Sequence, residues 1–304
     1  MSAATDVIAG RIQPIGLDEL NARLALQTRT DSKYLLNLGE LDHLVDLIGS
    51  DLQVLQIDDR QEQTYDTVYF DSTDLGCFHD HLQRRRYGYK LRTRTYVGSG
   101  LRVFEVKMRD GRGNTVKVKI DHSDTPPAMI GPSAASFYRE AIENHYGFQP
   151  TRTFQPSLRN RYKRITLAAR HTLERTTLDH TLHFIDPVTN QTVGELREDL
   201  VLIETKSATG SGTIDRALWG LGIRPSRVSK YCIGIATVHP KYRPNRYRHA
   251  ATTAFTGIRT TTINQTPPGP LVFAPPVSTE DLPRPPRPPR EPRANRPPRP
   301  PRAG

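Results

Sequence analysis

Cysteine is almost missing from this 304-residue chain, which holds only Cys77 and Cys232. They stand far apart and form no CxxC pair, so the sequence gives no disulfide framework and no zinc spacing. Buried thiols in a reducing cytosol are the expectation. Long apolar runs are also missing. Nothing approaches about 18 consecutive apolar residues, so no membrane-spanning helix is expected. The opening stretch, MSAATDVIAGRIQPIGLDEL, has no basic segment leading into an apolar one, so a secretory signal is not expected. There is no Walker A loop and no GxGxxG fingerprint, which leaves the common nucleotide-binding folds unsupported. Histidine occurs ten times without metal-ligand spacing. His79 and His81 flank Asp80 in an expected loop and are expected on the surface.

Positive charge is plentiful. The formal net charge is +11 and the isoelectric point about 9.8. This balance favours a polyanionic partner: nucleic acid, phosphorylated small molecules, polyphosphate or an anionic membrane surface. It does not choose among them. Part of the excess lies in the Pro/Arg-rich C-terminus, where Arg284, Arg287, Arg290, Arg293, Arg296, Arg299 and Arg302 recur at every third position. Polyproline II has about three residues per turn, so these arginines would line one edge of an extended rod. With so few apolar side chains, residues 248–304 are expected to be a disordered linker and tail. They would serve either as a solubilising extension or as an arm for a polyanion or partner. Residues 1–11 are expected to be a flexible N-terminus, which leaves 12–247 as the globular domain.

Within that domain, helical spacing marks Leu17–Leu26, Gly39–Ile48 and Ser133–His145. Period-two alternation marks Thr64–Asp71, Gly88–Val97, Arg102–Met108, Thr115–Ile120, His180–Ile185 and Leu200–Ser207. Short turns between several of these favour an antiparallel meander. Side chains on a strand alternate between two faces. Lys90, Arg92 and Arg94 therefore share a face, as do Glu105 and Lys107, Lys117 and Lys119, and Glu204 and Lys206. Each strand alone reads as a half-exposed sheet with a solvated face. Together the strands put too many cations side by side for that reading, because a solvated face usually mixes signs. A wide barrel with a polar interior would accept them if an anionic chain filled it. Aromatic residues are not expected between these cations, so sequence-specific nucleic-acid binding is not predicted.

The segment YDTVYFDSTDL at Tyr65–Leu75, KLRTRTY at Lys90–Tyr96, FEVK at Phe104–Lys107, TVKVK at Thr115–Lys119 and IETK at Ile203–Lys206 together resemble the VTC (polyphosphate polymerase) domain of the triphosphate tunnel metalloenzyme superfamily. RTDSKY at Arg29–Tyr34 and SKY at Ser229–Tyr231 fit its first and last motifs. The resemblance spans roughly Arg29 to Ile235. It implies an α+β fold: a tunnel-shaped antiparallel β-barrel with peripheral helices. By the same resemblance Arg92, Arg94, Lys107, Lys117 and Lys230 are the catalytic cations. Lys33, Arg164 and Arg175 are substrate-binding. Lys90, Lys119 and Lys206 join them from the alternation, and Glu204 is the metal-binding carboxylate. The first motif keeps only one acidic residue before Lys33, Asp31, which puts metal binding by that strand in question. The implied activity is transfer of the γ-phosphoryl group of ATP, or another nucleoside triphosphate, to inorganic polyphosphate with Mn²⁺ or Mg²⁺. Hydrolysis of triphosphates by the same fold and non-catalytic polyanion binding are the alternatives. The expected location is cytoplasmic, with room for a membrane-protein partner that would hold the chain at the inner face of a membrane.

Overall fold

The computed structural model describes residues 2–24, 30–109 and 115–257. In chain order the elements are α1 (Ala3–Ile8), β1 (Gln13–Ile15), α2 (Leu17–Arg23), β2 (Thr30–Asn37), α3 (Leu38–Ile48), β3 (Leu52–Leu55), β4 (Glu62–Asp71), α4 (Gly76–Leu82), β5 (Tyr89–Tyr96) and β6 (Arg102–Arg109). They continue with β7 (Thr115–Asp121), α5 (Pro132–Tyr146), β8 (Gln155–Ala169), β9 (Arg175–Ile185), β10 (Thr192–Leu196), β11 (Leu200–Ser207), α6 (Thr213–Gly220), α7 (Lys230–Val238), α8 (Arg248–Ala254) and β12 (Phe255–Thr256).

All the strands join one 12-stranded sheet. Its main path runs β7-β6-β5-β4-β8-β9, and β11 and then β2 continue it from β9. Among the described residues β2 and β7 do not pair, so the sheet curls into a trough instead of closing into the expected barrel. Short branches, β10-β12 beside β9 and β3-β1 beside β8, complete it.

Alternation decides what each face carries. On the convex side Val68, Phe70, Leu91, Phe104, Val106 and Met108 pack against Ala134, Tyr138 and Ile142 of α5. Farther round, Tyr34, Leu36, Leu178, Val201 and Ile203 pack against α3 and α6. α3 is well specified locally. Asn37 and Glu40 form a reciprocal capping box with both hydrogen bonds at 2.8 Å, and Leu41, Leu44, Val45 and Ile48 make its buried stripe. α5 opens on Pro132 and stops at Gly147, whose φ of 77° suits a residue without a Cβ.

Several boundaries differ from expectation. Residues 1–11 are not simply flexible, because α1 buries Ala4 and Ile8 in the core and hangs from Glu62 through Ser2 and Thr5. The folded unit also extends past 247: Ala250, Ala251, Ala254 and Phe255 are buried beside α7. The Pro/Arg-rich repeat lies outside the described residues. His79 and His81 sit on helix α4, not in a loop, and neither is fully exposed. β8 had no period-two signature. β9 begins at Arg175, five residues before the expected start, for a reason seen at Thr181: its φ of 47° marks an irregularity that shifts the register with β8. The bulge breaks the alternation, so Asp179 and Leu182 share the concave face at an odd spacing.

Candidate functional site: a cationic trough

The concave face can be read from strand register. Lys117, Lys107 and Lys90 face one another across β7, β6 and β5. One step along, Lys119, Glu105, Arg92 and Tyr69 form the next row. Arg94, Thr67 and Asn160 follow, then Tyr96, Tyr65 and Tyr162. The other wall holds Arg164 opposite Asp179, Glu204 between Lys33 and Thr177, and Lys206 between Asp31 and Arg175. The first residue of α7, Lys230, enters from above and binds Asp179. The strand cations expected from the sequence thus share one surface, together with Lys230.

Two buried carboxylates, neither assigned a role from the sequence, organise these cations. Glu105 receives Arg92 Nε at 2.5 Å and Lys117 Nζ at 3.1 Å. Asp179 receives Arg164 at 2.6 and 2.8 Å, and Lys230 as well. Burial alone would raise both carboxyl pKa values. Arg92, with Arg94 and Lys117, instead holds Glu105 well below the ordinary range, and Arg164 with Lys230 does the same for Asp179. Such charge-assisted, partly bidentate bonds fix direction as well as charge.

The remaining support is aromatic, which corrects the expectation that no aromatic residues interleave. Arg92 lies over Tyr69, Arg94 over Tyr65, Lys90 over Tyr231, Lys230 over Tyr162, and Arg164 over both Tyr65 and Tyr162, at 4.9–5.8 Å from the ring centroids. Ring faces attract these cations without neutralising them. The rings of Tyr65, Tyr69, Tyr162 and Tyr231 are buried, so they are supports for cations and not platforms for bases.

Lys90 is the most strained charge. Burial pushes its ammonium down to about 7, reinforced by Lys107, Lys33 and Arg92. Its Nζ lies 3.1 Å from His81 Nε2, which Tyr247 also approaches at 3.2 Å. Burial and the surrounding lysines hold His81 neutral. Lys107 falls to about 8, again chiefly through burial. Lys107 is nevertheless exposed to solvent, so the trough is open along this strand. Lys119 lies on the same face but at the exposed edge. Lys33 goes the other way, raised by Glu204 directly across the β2–β11 ladder.

Glu204 is the expected metal ligand. Lys206, 3.2 Å away, together with Lys33, Lys230 and Arg164, holds it far below the normal carboxylate range despite burial. Among the described residues no group of three His, Cys, Asp or Glu side chains comes together. Mn²⁺ and Mg²⁺ ask for several oxygen ligands. The side chains here do not make a resident centre, and a single carboxylate serves such an ion only when phosphate and water oxygens supply the rest.

α7 is seated tightly over the trough. A Cβ at Gly234 would come within 2.6 Å of Leu158 and 2.8 Å of Phe184. Its neighbour Tyr231 donates to Asp71, which also caps the start of α4 through the amides of Cys77 and Phe78. Asp71 of the YFDS segment therefore anchors α4 and α7, while Tyr69 of the same segment meets the trough cation Arg92.

Solved structures give only distant likenesses. A putative adenylyl cyclase from Hippeastrum, described as having a dominant triphosphatase activity, is 14% identical; the match covers 71% of this chain and 97% of that one at a TM-score of 0.40. A putative adenylate cyclase from Bacillus halodurans is 12% identical, with 66% and 94% covered and a TM-score of 0.39. No curated protein matches. The sequence model of the VTC domain matches residues 28–239, a span that takes in every trough residue from Lys33 to Lys230. The chain is a member of the VTC domain family.

Proposed function

We propose that the trough binds a linear phosphate chain and transfers the γ-phosphoryl group of ATP to inorganic polyphosphate. The supporting observation is the set of trough cations that, among the described residues, outnumber the carboxylates there and have headgroups held by Glu105, Asp179 and tyrosine faces. Phosphoryl transfer needs little from a protein beyond alignment and charge stabilisation. Arg92, Arg94 and Arg164 offer planar forks to phosphate oxygens, and Lys33, Lys107, Lys117 and Lys230 offer point charges. Their fixed placement means that little reorganisation is needed when charge shifts between leaving and attacking oxygens. Lys90, Lys119, Arg175 and Lys206 extend the positive surface. Mn²⁺ or Mg²⁺ enters on this reading as the nucleotide's own metal complex and neutralises further phosphate charge, with Glu204 the protein carboxylate available to it.

The open seam between β2 and β7 favours a second reading, hydrolysis, because water has access to the bound chain. One assay separates the readings. Purified protein is incubated with ATP and Mn²⁺ or Mg²⁺, and the products are resolved. ADP with polyphosphate supports the polymerase, and ADP with free phosphate supports the hydrolase. Tight polyphosphate binding without ADP release would leave a polyanion-binding module.

A further inference from the structure

Outside the trough, a second group of cations gathers around the end of α4. The turn after that helix carries Arg84, Arg85, Arg86 and Tyr87 in succession, all exposed, with Arg84 at a φ of 56°. Beside it runs the segment between α7 and α8, where Lys241, Arg243 and Arg248 are exposed. Two tyrosines fasten this segment to α4. Tyr242 meets the rings of Phe78 and His79 at 6.0 and 5.4 Å, and Tyr247 stacks on His81 at 6.4 Å. Arg85 and Tyr247 line one pocket, so the turn and the segment adjoin. The face they make is poor in acid. No Asp or Glu occurs in residues 216–257. Asp80 on α4 is buried and bound by Arg152 at 2.8 Å and Arg85 at 3.5 Å. Among the described residues no carboxylate forms a salt bridge with Arg84, Arg86, Lys241, Arg243 or Arg248.

An aromatic shelf adjoins the arginines. Tyr87 packs edge to face against Tyr146 and Phe148, with ring centroids 5.4 and 5.8 Å apart, and Tyr146 stacks on Phe148 at 5.7 Å. The Tyr146 hydroxyl donates to the Gly88 carbonyl at 2.9 Å, which holds the shelf in place. Yet Tyr87 is 49% exposed and Phe148 39%. A nucleic-acid strand would need open ring faces for its bases, but Arg86 lies over the Tyr87 ring at 5.4 Å and Tyr146 covers Phe148. A layer of lipid headgroups asks for something else. It takes aromatic bodies at the boundary between water and chains, and cations beside its phosphates. We propose that the turn 84–87, Phe148 and the segment 241–248 form a docking face for an anionic phospholipid surface. The arginines and Lys241 meet headgroup phosphates, and Tyr87 and Phe148 enter the headgroup layer. This contact is separate from whatever the trough binds.

The test uses the full chain and vesicles of phosphatidylcholine, alone or mixed with phosphatidylglycerol, in a sedimentation assay. The protein should sediment with the mixed vesicles and stay in solution with the neutral ones. Arg84→Gln combined with Arg86→Gln should weaken that binding at least about tenfold. Tyr87→Ser combined with Phe148→Ser should weaken it at least about threefold. Melting curves check that both double variants fold. The Arg-rich C-terminus would also be drawn to anionic vesicles, so a second readout locates the contact. Tyr87→Trp places an indole on the face, and brominated lipid in the mixed vesicles should quench it beyond any change in the wild type, whose one tryptophan is Trp219. Sedimentation without that quenching overturns the proposal, as does equal binding by the wild type and both double variants. Failure to bind the mixed vesicles overturns it too. Binding of a single-stranded oligonucleotide in their place, lost in the same variants, would give the face to nucleic acid. None of these substitutions touches a trough cation, so ATP turnover without vesicles should be unchanged and the phosphate-chain reading stands or falls on its own assay.

Discussion

Asp179 on β9 grips Arg164 on β8 through two parallel hydrogen bonds, from Nε at 2.6 Å and from Nη2 at 2.8 Å, and the same carboxylate also takes Lys230 from α7. One buried charge thus sets two strands and a helix relative to one another. Asp179→Asn would leave Arg164 and Lys230 without the carboxylate that binds both. Breaking such a buried pair costs about 3–5 kcal/mol. The variant should melt lower, and saturating tripolyphosphate should restore more of its melting temperature than it adds to the wild type. Equal ligand shifts in both proteins would show that Asp179 does not organise the anion site.

The same carboxylate predicts an acid limb. Asp179 and Glu105 titrate lower in the folded chain than in the unfolded one. Their contribution is present above the unfolded carboxylate range near pH 4 and is lost as pH falls below it. Urea midpoints should drop between pH 5 and 3 in the wild type, and less so in Asp179→Asn. Parallel curves for the two proteins would contradict this.

At neutral pH the lysines act with the opposite sign to ligand binding. Lys90 at about 7 and Lys107 at about 8 lie below their ordinary value of 10.5. The unfolded chain therefore holds more protons across this window, and the ligand-free protein should gain stability from pH 6.5 to 8.5. Tripolyphosphate, which needs the charged forms, should lose affinity over the same range. Lys90→Met, measured by calorimetry, should flatten part of both trends. A pH-independent affinity in the wild type would rule the lysines out as the titrating groups.

A substitution at Glu204 should separate binding from turnover. Glu204→Gln removes an anion from among Lys33, Lys206, Lys230 and Arg164. Metal-free tripolyphosphate should bind severalfold tighter, while ADP release from ATP with Mn²⁺ should fall at least about tenfold, or about 1.4 kcal/mol in the barrier. Turnover that stays unchanged at saturating Mn²⁺ would make Glu204 only an ion-pair partner of Lys206.

Gly234→Ala probes the seat of α7. The added methyl would meet Leu158 and Phe184 at 2.6–2.9 Å. Overpacking of this kind costs about 1–3 kcal/mol. Because Lys230 begins the same helix, the variant should lose both melting temperature and phosphate affinity. A stability loss with unchanged affinity would uncouple the helix seat from the trough.

Much of this site was legible because period two is a direct record of which side chains share a face. Lys90, Arg92 and Arg94 needed nothing more, and neither did Lys117 with Lys119. Asp179 was hidden because the bulge at Thr181 changes the phase between it and Phe184. Glu105 lay in plain view on β6, but its role depends on Arg92 one strand away, and lateral pairing is not written in local spacing. His81 and Tyr247 meet across 166 positions, a contact that only the folded chain creates. The resemblance to closed tunnels also carried the reading too far, since pairing between β2 and β7 is decided by edges and not by patterns.

The tyrosine-backed cations have a practical corollary. A ring face holds an ammonium or guanidinium in place but leaves its charge to be answered by whatever anion is dissolved nearby. On the proposed reading phosphate, citrate and sulfate would compete for the trough, so each should raise the melting temperature while weakening measured binding of longer phosphate chains. Cellular polyanions should travel with it through purification until high salt strips them off.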